Sequence, residues 1–160
     1  MIWEIIVAVS TAFSALVILI TAIFAVWQLN EMRKSRQLDA YINIVQILQN
    51  EEIRGARRTL ISKLTKKDFE EWTEEDRNQA EKVCHTYDTV GMMSLEKHID
   101  SKLVTAGWHY SITTCWEACC PMIKEYRKTR GEDYWDNFEK LNKMAQQYEQ
   151  KNGGDLTRFA

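Results

Sequence analysis

The stretch SALVILITAIFAVWQLNEMRKSR, residues 14–36, passes within ten residues from unbroken hydrocarbon to a cluster of positive charge. It is the C-terminal part of a longer apolar run, because no charged residue occurs from Ile5 to Leu29. Coiled as a helix, those 25 residues measure about 37 Å, against a bilayer hydrocarbon core of roughly 30 Å. The segment therefore reads as a transmembrane helix that crosses with some tilt. Trp3 and Trp27 flank it, where amphipathic rings favour the membrane interface. Arg33, Lys34 and Arg36 follow at once, and Glu4 is the only charge before the span. The positive-inside rule then sets the N-terminus outside and the C-terminal part in the cytoplasm, a single-pass arrangement in the cell membrane. A cleavable signal sequence would carry a basic leader and a small-x-small cleavage site, and the segment has neither.

The span carries a pattern of its own. Ala8, Thr11, Ala15, Ile18, Ala22 and Ala25 fall on the a and d positions of a heptad, and all but Ile18 are small. Small residues at that period let helices approach closely in a left-handed bundle. Ser14, Thr21 and Gln28 recur every seven residues on the adjacent line. Such polar side chains could bond between helices or line a wet pathway; equally, serine and threonine in a helix bond back to their own carbonyls. A pathway requires several copies of the span, so the expectation is a homo-oligomer.

Beyond Asn30 the chain is charged throughout, with a net charge of −2 over 160 residues. That balance offers no footprint for DNA or long RNA. One proline and six glycines leave little material for turns, which favours an all-α protein. The expected organisation is a transmembrane helix with its basic flank over 1–37, a helical cytoplasmic bundle over 38–152, and a flexible tail over 153–160, released by Gly153 and Gly154. Leu38, Tyr41, Ile42, Val45 and Leu48 form one stripe continuing the first helix. Asn50 caps a second helix with Ile53, Ala56, Leu60, Ile61 and Leu64 inward. KKDFEEW, 66–72, reads as a turn or short helix. Thr73 with Asp76 forms a capping box that starts a helix burying Ala80, Val83, Cys84, Tyr87 and Val90, with Gly91 near its end. Ser101 caps a further helix, which Pro121 kinks or restarts and Gly131 ends. A last helix from about Asp133 buries Trp135, Phe138, Leu141 and Tyr148.

Chemistry-bearing residues each have two readings. Cys84, Cys115, Cys119 and Cys120 lie in apolar runs without a Cys-x-x-Cys pair, so core packing is preferred to a metal site that His85 would complete. No dinucleotide, P-loop or nucleophile-elbow motif is present, and no catalytic residue, metal or cofactor is assigned. Arg54, Arg57, Arg58, Lys63, Lys66 and Lys67 precede a run of six acids from Asp68 to Asp76. These are either two solvated faces or a basic helix facing phosphate or anionic lipid. Lys124, Arg127, Lys128 and Arg130 form a second basic group. KLVTAGWHYS, 102–111, sets a cation beside an indole, an imidazole and a phenol, which suits either base stacking or an ordinary core.

Three stretches, AEKVCHTYDTVGMM (80–93), GWHYSITTCWEACCPMIKEYRKTRG (107–131) and YWDNFEKL (134–141), accompany the single span and helical bundle. Together they resemble small bacterial membrane-anchored helical proteins, and among these the cyclic-nucleotide-binding membrane effectors of type III CRISPR antiviral defence. The resemblance implies a cytoplasmic domain that binds cyclic tetra-adenylate, a homo-oligomer (a tetramer by the ligand's fourfold repetition), and loss of membrane integrity when the ligand arrives. It supplies no residue-level motif. The chemistry of the sequence instead points to Arg57, Arg58, Lys102 and Arg127 for phosphate and to Trp108, His109 and Tyr110 for adenine. The competing readings are a single-pass adapter that docks a protein partner, and an enzyme acting on a phosphorylated substrate through His85 or His109.

Overall fold

The structure is a computed structural model in which residues 1–152 are described; the expected tail lies outside them. The protein is all-α. Five helices, α1 (Ile2–Gln49), α2 (Glu51–Ser62), α3 (Glu74–Leu95), α4 (Ser101–Arg130) and α5 (Asp136–Asn152), are joined by short turns, and the described residues contain no strand. The chain divides into two compact units at Leu38, so that α1 contributes to both.

The first unit is the N-terminal part of α1. Its apolar side chains are all exposed, with Phe13 and Ile18 about two-thirds so, and no described residue covers them. The helix is long and apolar enough to cross a membrane. Its hydroxyls are turned onto their own backbone: Thr11, Ser14 and Thr21 donate to the carbonyls of Val7, Ser10 and Val17 at 2.8, 2.9 and 2.7 Å. Ala8, Ala15, Ala22, Ala25 and Gln28 are exposed.

The second unit is a bundle built from the end of α1 and from α2 to α5. Ile44 and Leu48 are the wholly buried residues of α1. The stripe is thus rotated from the expected one: Tyr41 and Val45 are half-buried, whereas Leu38 and Ile42 are exposed. The preference for 38 and 42 extended the register of the apolar span, but only the side facing α2 to α5 meets a core.

Local chemistry sets the helix boundaries. The Asn50 side chain accepts the Glu52 N–H at 2.9 Å and opens α2. Thr73 and Asp76 exchange hydrogen bonds at 3.1 Å as a complete capping box for α3. Asp100, not Ser101, caps α4, accepting the Lys102 N–H at 2.9 Å; a carboxylate one residue earlier outcompetes the serine. α4 then runs through Pro121 without restarting. It ends at Gly131, whose φ of 105° is open to glycine. α5 starts at Asp136, three residues later than expected. The turn before it holds Trp135 at φ 59° with its indole buried. Gly91 lies near the end of α3, as expected, and is buried where α5 crosses. Tyr148 is half-buried.

The core joins aliphatic residues to a cluster of aromatic rings. Tyr87 of α3 stacks on Phe138 of α5 at 5.2 Å, and the Trp116 edge meets the same ring at 5.1 Å. Cys84, Cys115 and Cys119 lie wholly within this core, with Cys120 at its margin.

Candidate functional site

α4 and α5 pack antiparallel, since the N-terminal Lys102 of α4 meets the end of α5 and Arg127 meets its beginning. Between the start of α4 and the end of α5 lies a cleft of about 450 Å³. Ser101, Lys102 and Thr105 form one wall; Met144, Gln147, Tyr148, Lys151 and Asn152 form the other. Helical spacing explains the second wall, because 144, 147, 148 and 151 share one face of α5. His109, one turn beyond Thr105, lies 5.3 Å from the Tyr148 ring, and its Nδ1 is 3.1 Å from the Thr105 carbonyl oxygen. The cleft thus joins two lysines, the hydroxyls of Ser101 and Thr105 and the ring of Tyr148, while the Lys102 N–H at the start of α4 is already taken by the Asp100 carboxylate. The two ammonium groups favour an anion.

The residues singled out from sequence fall into four places. Lys102 lines this cleft and His109 stands behind Tyr148. Arg57 and Trp108 are turned onto each other: the guanidinium sits 4.7 Å over the indole. Arg57 is only 7% exposed, and its Nη2 donates to the Leu48 carbonyl at 2.6 Å. The guanidinium is thus engaged within the bundle, and Trp108 is half-buried against it. Arg58 is exposed on α2, and Tyr110 is exposed on α4. Arg127 lies 25 residues along α4 from Lys102, roughly 37 Å at the helical rise. It pairs with Glu139 at 2.8 Å and donates to the Tyr134 carbonyl at 3.0 Å. Lys143 and Arg127 hold the Glu139 carboxyl below its ordinary range. One chain cannot bring Lys102 and Arg127 to one small ligand.

Much of the surrounding charge is internally matched. Lys63 and Lys67 of the basic run bind Asp76 of the acidic run at 3.2 and 2.7 Å. Arg130 stacks on Tyr126 and Tyr134 at 4.4 and 5.0 Å. Within the core, burial pushes the Tyr87 hydroxyl and the Cys115 thiol up to about 12.

Sequence reasoning missed Thr105 and Lys151 and assigned Tyr148 to the core. The signal for Tyr148 and Lys151 was present as a row with Gln147 on one side of α5, but which helix it faces, and hence the part of Thr105 on α4, depends on the antiparallel packing. No curated protein and no solved structure matches the chain. A family model described as a domain of unknown function, DUF4760, matches residues 15–144, taking in both the greater part of the apolar span and nearly all of the bundle, and the chain belongs to that family.

Proposed function

We propose that the protein is a non-catalytic membrane effector whose bundle binds a cyclic oligonucleotide, cyclic tetra-adenylate, and thereby rearranges an oligomer of α1 to breach the membrane. The observation that carries this reading is the α4–α5 cleft, where Lys102 and Lys151 flank the Tyr148 ring. Phosphate and a base need that combination: cations for the backbone and a ring face for stacking. The cleft has the volume of a site for one small group, not for four linked nucleotides. A fourfold ligand would be met by four copies round an axis, each giving one cleft. The resemblance to CRISPR membrane effectors supports the choice of ligand, and the length and composition of α1 support the membrane. The small-residue row from Ala8 to Ala25 supplies the side on which copies of α1 meet, and Ser14, Thr21 and Gln28 would line the opening once copies surround it. The ligand shifts the assembly only by its different affinity for two arrangements.

The test uses the full chain in detergent and in liposomes. Calorimetry should show binding of cyclic tetra-adenylate but not of linear tetra-adenylate at equal concentration, and liposomes should leak dye only with the cyclic ligand. Absence of binding to the full chain overturns the proposal. The adapter reading draws on exposed Leu103 and Tyr110, seven residues apart on α4. It predicts a co-purifying protein partner and no response of the liposomes to any nucleotide.

A further inference from the structure

We infer that Arg57 is the positioning residue that fixes the end of α1 to the bundle, and that occupancy of the α4–α5 cleft reaches α1 through it; the second half rests on the function proposed above. Arg57 belongs to α2 but touches three other helices. Its Nη2 donates to the Leu48 carbonyl in the last turn of α1, its Nη1 lies 3.4 Å from the Tyr87 hydroxyl of α3, and its plane covers Trp108 of α4. The Tyr87 hydroxyl is held in turn by Ser111 of α4 at 2.8 Å.

The charge is compensated in an unusual way. Arg57 is more than nine-tenths buried, yet none of the ion pairs among the described residues includes it. Its Nε has no hydrogen-bond partner. A buried guanidinium without a carboxylate is held by weaker partners: a carbonyl at the negative end of a helix dipole, a hydroxyl and an indole face. The Leu48 carbonyl is itself among the last four of α1, which lack amides of their own helix. Each group therefore answers a need of the other, and the end of α1 has a side-chain cap contributed by another helix.

The path from the cleft is short. Trp108 lies between Thr105, which lines the cleft, and His109, which packs on Tyr148. A shift of the first turns of α4 on a ligand moves the indole that supports the guanidinium. Because the guanidinium has no carboxylate to hold it, its grip on Leu48 rests on that indole and on the Tyr87 hydroxyl, and a displaced indole weakens it.

The experiment compares wild type, Arg57→Met, Arg57→Lys and Trp108→Leu as full chains. Hydrogen exchange reads the clamp without any ligand. In Arg57→Met, amides over 46–52 should exchange at least about tenfold faster while those of α3 and α5 keep their protection. Arg57→Lys should restore part of the protection, and Trp108→Leu repeats the test if Arg57→Met does not fold. With cyclic tetra-adenylate, the variants should bind within about threefold of wild type while dye release falls by about tenfold or more. Exchange that rises equally throughout the bundle makes Arg57 a general stability residue and overturns the clamp. Undiminished dye release overturns the transmission. Failure of wild type to bind overturns the proposed function and the transmission with it, and the exchange pattern still decides the clamp.

Discussion

The Asp88 carboxylate of α3 accepts the backbone N–H of Phe138 at 3.0 Å, so that α5 is capped by a residue fifty positions earlier in the chain. Its other oxygen accepts from the Asn137 side-chain Nδ2 at 3.3 Å. An anion at a helix N-terminus satisfies amides that have no partner in the helix and complements its dipole. Asp88→Ala should cost about 1 kcal/mol, the usual worth of a cap, and Asp88→Asn should recover much of it because the amide oxygen still accepts. Thermal unfolding of the full chain in detergent, followed by tryptophan fluorescence, measures both. An Asp88→Ala protein that melts with the wild type would show that α5 does not depend on this bond.

Gly91 and Gly55 test the close approach of α3 and α5 with opposite signs. A Cβ on Gly91 would stand 2.3 Å from the Asn137 carbonyl oxygen, which is backbone and cannot rotate away. On Gly55, in α2, it would meet nothing within 4 Å. Alanine is the better helix former at both positions by about 1 kcal/mol. Gly55→Ala should therefore raise the melting temperature, while Gly91→Ala should lower it through an overpacking cost of roughly 1–3 kcal/mol. A rise in both would mean that α5 is free to move off α3.

Helix starts and core faces were largely legible because their causes are local. The Thr73–Asp76 box, the Asn50 cap and the row Ala80, Val83, Cys84, Tyr87, Val90 follow from side chains within a few residues of one another. Where the cause is distant, the sequence misled. Gly91 was placed near the end of α3, but nothing beside it in the chain announces that α5 crosses there. Trp135 read as helical because neither its left-handed backbone nor the His85 ring 5.3 Å away is coded nearby. The candidate site suffered most. Arg57 and Trp108 were chosen for ligand-binding chemistry, and the same cation and ring attract each other across 51 residues of chain. Lys102 and His109 fell in the cleft, but its other half, on α5, needed the packing.

Asp76 predicts how the fold responds to acid. Lys67 and the Thr73 backbone N–H, helped by the Thr73 hydroxyl and Lys63, hold its carboxyl well below the ordinary aspartate range and together outweigh the opposing effect of burial. The folded state thus binds this proton more weakly than the unfolded chain does. The resulting stability is fully present above about pH 5 and fades as pH falls through the unfolded aspartate value near 4 and towards the lower folded one. Asp76→Asn should lower the melting temperature at pH 7 and flatten the acid limb of the stability profile. Parallel acid limbs for the two proteins would remove Asp76 from the account.

At the alkaline end the signs reverse. Burial raises Tyr87 from 10.0, and Cys115 from 9.0, to about 12. Each is held neutral in the core, so the folded state keeps protons that the unfolded chain releases, and stability falls as pH rises from about 9 to about 12. Tyr87→Phe should soften the upper part of that fall. The same burial predicts that Cys84, Cys115 and Cys119 resist a thiol reagent at pH 8 in the native chain and react on unfolding. Rapid labelling of all four thiols in the native protein would contradict the buried core.

Salt dependence separates the lysines of the cleft from the arginine at the far end of α4. If Lys102 and Lys151 each meet a phosphate, removing either should weaken binding of cyclic tetra-adenylate and flatten the fall of log K with log salt by roughly 0.7 for each phosphate left without its cation. Arg127 is already neutralised by Glu139, and its Nε is committed to the Tyr134 carbonyl. Arg127→Met should accordingly leave the salt slope unchanged while lowering the melting temperature, because Glu139 loses one of its two cations and the Tyr134 carbonyl its donor. Calorimetry of the full chain between 50 and 300 mM salt, with about fivefold steps in affinity resolved, reads the difference. A slope that responds to Arg127→Met and not to Lys102→Ala would move the phosphate site to the opposite end of α4.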